Sequence, residues 1–180
     1  ALALDLVDKH LVGDQVVLTV GYDRESLTNP TIRAQYNGEV TTDWYGRSVP
    51  KHAHGSISLD RPTSSSSQLI DAVTQLYDRI VNPILLVRRL NITVNHVISE
   101  DEARRQRQNT PVQLDLFTDY QTEAEKQKQE EDAAAKERRL QEAALKIKKE
   151  FGKNALLRGL NYAEGATQKE RNNQIGGHKA

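Results

Sequence analysis

Cysteine is absent from the chain, which excludes disulfides and thiolate metal ligands. Methionine is absent as well, and aromatic residues make up only 5% of the sequence, with a single tryptophan. No apolar run approaches the roughly 20 residues that a membrane-spanning helix needs, and no signal-peptide pattern opens the chain. The plain reading is a cytoplasmic protein. Net charge is absent too: 25 basic side chains balance 25 acidic ones over 180 residues. No global field draws a polyanion, so any contact with nucleic acid must come from a local patch on one face. What is present is polarity. Hydrophobic residues are 37%, charged residues 28%, and mean hydropathy is −0.69. That is too polar for one core of this length, so part of the chain is expected as solvated helix or tail.

The opening run Ala1 to Val7 has no cap before it and reads as the middle or end of a helix, closed by Gly13. A preceding N-terminal part is therefore expected. Gln15 to Tyr22 (QVVLTVGY) is rich in β-branched residues and reads as a strand. Residues 23–50, with Pro30, Gly38, Gly46 and Pro50, read as a long loop or irregular hairpin arm. A second strand is expected over residues 53–60. The serines at 64–67 then offer an N-cap for a helix over residues 67–81. Leu69, Ile70, Val73, Leu76, Tyr77 and Ile80 form its apolar stripe, and Asn82-Pro83 stops it. A third strand follows over residues 85–97. The class is α+β: an antiparallel or mixed sheet with helices on one face, incomplete as β-α-β-β-α-β unless a first strand is supplied.

Strand alternation assigns the faces. Ile57 and Leu59 point one way; His52, His54, Ser56 and Ser58 point the other. On the third strand, Leu86, Leu90, Ile92 and Val94 share a face with Arg88, while Arg89, Asn91, Thr93 and Asn95 lie opposite. One side of the sheet is thus apolar. The other is a field of hydroxyls, amides and imidazoles with Arg89, edged by Arg47 and Lys51. Short donors and a few cations on a flat surface suit the phosphates of a nucleic-acid backbone. A solvated polar face is equally the ordinary property of an antiparallel sheet, and alternation alone does not separate the two. His52 and His54 lack a third ligand, so no metal site is expected.

Residues 100–112 are polar and charged and read as a linker. Within the segment that follows, Gln113-Leu114-Asp115-Leu116-Phe117 is a small apolar island. Pro111 disfavours helix before it, which favours presentation as an extended peptide. Such a segment gains affinity from a few anchors on a tether: the Gln113 amide in a polar pocket, Leu116 and Phe117 in an apolar one, Asp115 toward a basic rim. From Thr122 a capping box opens about thirty residues of helix-forming sequence ending near Gly152. Only its end has a stripe, Leu140, Ala144, Ile147 and Phe151, which either docks on a partner or packs on residues 155–160. The remainder, 153–180, reads as mostly irregular.

These features resemble the C-terminal part of bacterial Y-family translesion DNA polymerases: a little-finger domain followed by a sliding-clamp-binding motif. The resemblance rests on Gly46-Arg47-Ser48-Val49-Pro50-Lys51-His52-Ala53-His54-Gly55-Ser56 leading into a strand, the helix after it, Arg88-Arg89-Leu90-Asn91-Ile92, and QLDLF in the linker. It is closest to the UmuC-like (ImpB/MucB/SamB) branch of Gram-positive bacteria, whose members also end in segments like Glu164-Gly165-Ala166-Thr167 and Arg171 to His178. The resemblance implies a little-finger-like domain over 1–99, truncated at its start, a linker with the clamp motif over 100–120, a long helix over 121–152 and a tail. It implies contacts from Arg47, Lys51, His52, His54, Ser56, Ser58 and Arg89 to primer–template DNA, and from Gln113 to Phe117 to the clamp. It also implies a nucleoid location and a part in repair and the SOS response. The family's catalytic carboxylates and their Mg²⁺ ions belong to a palm domain outside this sequence, so no catalytic residue or cofactor is assigned here and no polymerase activity is expected of this piece alone. A reading from another class remains: a non-enzymatic adaptor, with a small α+β domain and a helical interaction arm.

Overall fold

A computed structural model describes residues 2–109, 120–175 and 178–179. They fall into two compact units: Lys9–Val112, which holds the main sheet, and Ala1–Asp8 with Gln113–Ala180.

The first unit is built on β1 (Leu11–Tyr22), twelve residues whose alternate positions Val16, Leu18 and Val20 are fully buried. It is followed by α2 (Glu25–Thr28), α3 (Pro30–Gln35), a short hairpin of β2 (Val40–Thr42) and β3 (Ser48–Pro50), then β4 (Ala53–Thr63) and α4 (Ser66–Ile80). β5 (Val87–Asn95), β6 (Ile98–Ser99) and α5 (Glu100–Asn109) complete it. β1 lies between β4 and β5 and is antiparallel to both; β6 pairs with its first residues. The polar stretch 23–50, expected as a long loop or irregular hairpin arm, does end in a hairpin, but two short helices precede it. Pro30 sits in the first turn of α3, where its missing N–H costs nothing, and the Asn29 side chain accepts from the backbone of Thr31 and Ile32. The strand expected over Gln15–Tyr22 is β1, longer at its start, and in chain order the main sheet and its helix run β1, β4, α4, β5, with α2, α3 and the β2–β3 hairpin inserted between β1 and β4.

Two further differences have local causes. Gly13, expected to close a helix, lies inside β1: a Cβ there would meet Val94 Cγ1 at 2.3 Å, so only glycine lets β5 approach. The leading helix α1 (Leu2–Asp8) ends before it, and the chain turns at His10, whose φ is 54°. Residues 100–109, expected as linker, form α5, which carries Glu100, Asp101 and Glu102 in its first turn and Arg107 in its last.

The core lies on one side of the sheet. Leu18, Val20, Tyr22, Tyr36, Leu76 and Leu85 are buried together, with Leu27, Ile32, Ile57, Tyr77 and Ile80 packed at their margin. Ser65 caps α4, its hydroxyl accepting from the Gln68 N–H at 3.3 Å. Of the expected stripe, Leu69 and Leu76 are buried, whereas Ile70 is exposed and Ala72 takes the inward place. α4 packs over β4 and β1, so Leu90 and Ile92 of β5 stay exposed although they lie on the apolar face. Leu76 is fully buried at the centre of this core. Leu76→Ala is expected to destabilise the unit by about 2–5 kcal/mol, read as a fall in the denaturation midpoint.

In the second unit, α1 packs on α6 (Tyr120–Phe151), and Lys149 pairs with Asp8. α6 buries Gln141 and half-buries Glu137, Arg138, Ala144 and Leu145. Of the expected stripe only Ala144 turns toward that face; Leu140, Ile147 and Phe151 are exposed, as are Leu156 and Leu160 beyond it. The tail contains a 3₁₀ turn (Gly159–Tyr162), α7 (Gln168–Asn172) and the paired β7 (Gln174–Ile175) and β8 (His178–Lys179); the Asn172 amide donates to Asn154 Oδ1 at 2.7 Å, and the Asn154 amide donates to Asn173 Oδ1 at 2.9 Å.

Candidate nucleic-acid interface

The register of the sheet fixes what its outer face carries. Gln15 stands between Ser58 and Asn95, Val17 between Ser56 and Thr93, and Thr19 between His54 and Asn91. All nine share the face opposite the core, because paired residues on adjacent strands project to the same side. The serines, His54, Asn91 and Thr93 are exposed. Asn95 donates to Gln15 at 3.0 Å, and Thr19 Oγ1 lies 2.9 Å from His54 Nδ1, which fixes the imidazole on the sheet. The next step along this face brings Gly21 opposite Arg89. The alternation argument thus finds the right residues for this surface, although β4 and β5 do not pair with each other but flank β1.

At that end the face runs into an open groove of about 570 Å³. It is lined by Arg24, Arg47, Arg88, Arg89 and His52, together with Trp44 and Tyr45 from the β2–β3 turn. Arg88 was expected on the apolar side. A β-bulge explains the difference: Gly21 pairs with Arg89 but Tyr22 pairs with Val87, so Arg88 is the extra residue. Its guanidinium reaches Asp23 at 3.2 Å and lines the groove beside Arg89.

The cations differ in how they are held. Lys51 pairs with Glu39 at 2.7 Å, and Arg47 pairs with Asp43 at 2.7 Å. Both pairs raise the basic partner's pKa, chiefly through the side-chain hydrogen bond, so each cation stays charged but locally balanced. Arg89 has no ion pair among the described residues. With four guanidinium groups against Asp23 and Asp43, the groove keeps a positive excess.

Asp43 organises the turn that carries the two aromatics. Its carboxylate accepts from the backbone N–H of Tyr45 and of Arg47, both at 2.9 Å, and from Arg47 Nε at 2.8 Å. Gly46 takes φ of 73°, which closes the turn and which a side chain resists. The Arg47 guanidinium lies 4.8 Å from the Tyr45 ring centre, a cation–π contact. The Arg47 hydrogen bonds hold the Asp43 carboxyl below the usual carboxylate range. The Glu25 backbone N–H, and then Arg88, do the same for Asp23. Depressed carboxylate pKa values mean that this order is present above the unfolded value of about 3.8 and is lost as pH falls below it. Acidification through that window is expected to loosen the turn before the core unfolds, seen as broadening or shifting of the Tyr45 and Arg47 amide signals.

The expected contact residues do not all meet in one place. Arg47, His52 and Arg89 line the groove; His54, Ser56 and Ser58 lie on the adjoining face; Lys51 is exposed and tied to Glu39. Gln113, Leu114, Asp115, Leu116 and Phe117 lie outside the described residues. Sequence reasoning missed Arg24, Arg88, Trp44 and Tyr45. The visible signal was Asp43-Trp44-Tyr45-Gly46-Arg47, two aromatics in an otherwise polar stretch with no apolar periodicity to bury them. Among the described residues no group of three or more His, Asp or Glu side chains is placed to hold a metal ion, and no helix is long and apolar enough to cross a membrane.

No curated protein and no solved structure matches the chain. The impB/mucB/samB family C-terminal domain does match, over residues 1–116, and this stretch includes the whole sheet, the groove and α5. The chain therefore belongs to the impB/mucB/samB family and carries the C-terminal domain of a Y-family polymerase.

Proposed function

We propose that this chain is the DNA-gripping and clamp-tethered end of a translesion polymerase, acting in damage tolerance. The observation that carries the reading is the outer sheet face: rows of hydroxyl, amide and imidazole groups that run into a groove with an excess of guanidinium. Such a surface fits a sequence-independent grip on the phosphates of primer–template DNA, with Arg24, Arg88 and Arg89 as the main cations and His54, Ser56 and Ser58 as positioning donors. Arg47 and Lys51, each held 2.7 Å from a carboxylate, contribute less than Arg88, whose pair with Asp23 is longer at 3.2 Å. Gln113 to Phe117 supply the second attachment, to the bacterial sliding clamp, which raises the local concentration of the attached polymerase at the primer end. The UmuC-like branch of Gram-positive bacteria is the favoured source, on the likeness of residues 164–167 and 171–178. Catalysis and Mg²⁺ belong to the palm of the parent polymerase.

The test is fluorescence anisotropy of the 180-residue chain with a labelled primer–template duplex at low salt. Micromolar binding that weakens with salt supports the reading; its absence in a folded sample removes it. One observation favours a further partner: the exposed Leu140, Ile147 and Phe151 on α6. If DNA is not bound, this arm makes the adaptor reading the better one, and self-association measured by sedimentation tests it.

A further inference from the structure

We infer that Trp44 and Tyr45 form a stacking platform for unpaired DNA bases, at the point where the sheet face ends. The inference rests on the DNA reading above and adds a distinction that reading does not make, between single-stranded and duplex DNA.

Trp44 is 96% exposed and Tyr45 78% exposed. Placing two large aromatics in water at the tip of a hairpin forgoes the burial that normally stabilises them. They are not on a loose loop. Asp43 ties both ends of the turn through two backbone hydrogen bonds and an ion pair to Arg47, and Arg47 covers one side of the Tyr45 ring. A rigid aromatic loses little freedom when a base stacks on it. The groove beside it supplies Arg24, Arg88 and Arg89 for the phosphates that flank such a base.

Geometry selects the form of nucleic acid. A base within a duplex hides both of its faces in the stack, so a protruding indole meets a free face only where bases are unpaired. The polar face leads directly into the groove through the Gly21–Arg89 row. A duplex lying along the face would therefore deliver its single-stranded continuation to Trp44. Stacking has no hydrogen-bond readout, so the platform tolerates any base, with purines favoured by their larger surface.

Trp44 is the only tryptophan in the chain, so its emission reports on the platform without labelling. The probes are an oligothymidylate, a blunt duplex, and the same duplex with a single-stranded 5′ overhang. The 180-residue chain should show quenched emission with the oligothymidylate and the overhang, and little change with the blunt duplex. Trp44→Ala should weaken binding of the overhang substrate about 5- to 100-fold and leave the blunt duplex within about twofold. Trp44→Phe should recover part of the loss, and the exposed position keeps both variants folded, checked by circular dichroism. Blunt duplex bound with no change in emission on either single-stranded probe, or Trp44→Ala affecting all substrates equally, overturns the platform and leaves the DNA reading intact. No binding of any of the three DNAs overturns both.

Discussion

Replacing Leu116 and Phe117 together by alanine is expected to abolish binding of this chain to a bacterial sliding clamp, weakening it by at least about a hundredfold. In a short linear motif a few apolar anchors supply most of the affinity, and hot-spot truncations of this kind cost roughly 2–4 kcal/mol each. Gln113→Ala should cost less, about tenfold, because the amide trades its pocket contacts for water. The measurement is surface plasmon resonance on immobilised clamp with the whole chain. The double variant should keep the circular dichroism and the duplex affinity of the parent, since the described strands and helices that build the sheet domain come from residues 11–109. Loss of clamp binding with DNA binding unchanged is the expected pattern. Equal clamp binding by parent and variant would mean that QLDLF is not the tether.

The second large effect concerns the groove. Arg24→Ala, Arg88→Ala and Arg89→Ala combined are expected to reduce duplex affinity on the order of a hundredfold near 0.1 M salt. They should also lower the slope of log affinity against log salt by about 2 to 3, close to one for each phosphate contact removed. Lys51→Ala should do much less, because Glu39 already sits 2.7 Å from its ammonium and the pair contributes little net charge. The contrast between these variants separates a positioned cationic groove from a general attraction to basic side chains. If Lys51→Ala proved as damaging as the triple change, the assignment of the cations would be wrong.

Much of the sheet was legible in the residues because alternation is a direct physical consequence of strand geometry. Val16, Leu18 and Val20 point to the core, and the partners that the register gives them on β4 and β5 sort to the faces that the pattern predicts. α4 was equally legible from its stripe and its serine cap. What escaped notice was short or irregular. α2 has four residues, α3 six, and β2 and β3 three each, too few for a period to show. Pro30 read as a breaker when its context, Asn29-Pro30, was a helix start. The bulge at Arg88 reverses the face of one residue, and no sequence period announces it.

The groove was hidden for a different reason. It is assembled from the end of β1, from Arg24 at the N-terminus of α2, from the β2–β3 turn, from His52, and from the start of β5. These segments meet only because β1 is central and both neighbours run antiparallel to it. The sequence places Arg47 and Arg89 forty-two residues apart, and only the ladder brings them to one site. The exposed side of α6 belongs to the same class: a stripe was visible, but which side of the helix is buried depends on its packing, and Gln141 rather than Leu140 is inward.

The most direct test of the central claim is the salt dependence of duplex binding by the unmodified chain, measured between about 0.05 and 0.2 M monovalent salt. With three to four phosphates neutralised, affinity should fall roughly 40- to 150-fold over that range. A folded chain that binds no duplex at the lower concentration, or binds it with no dependence on salt, would contradict the account.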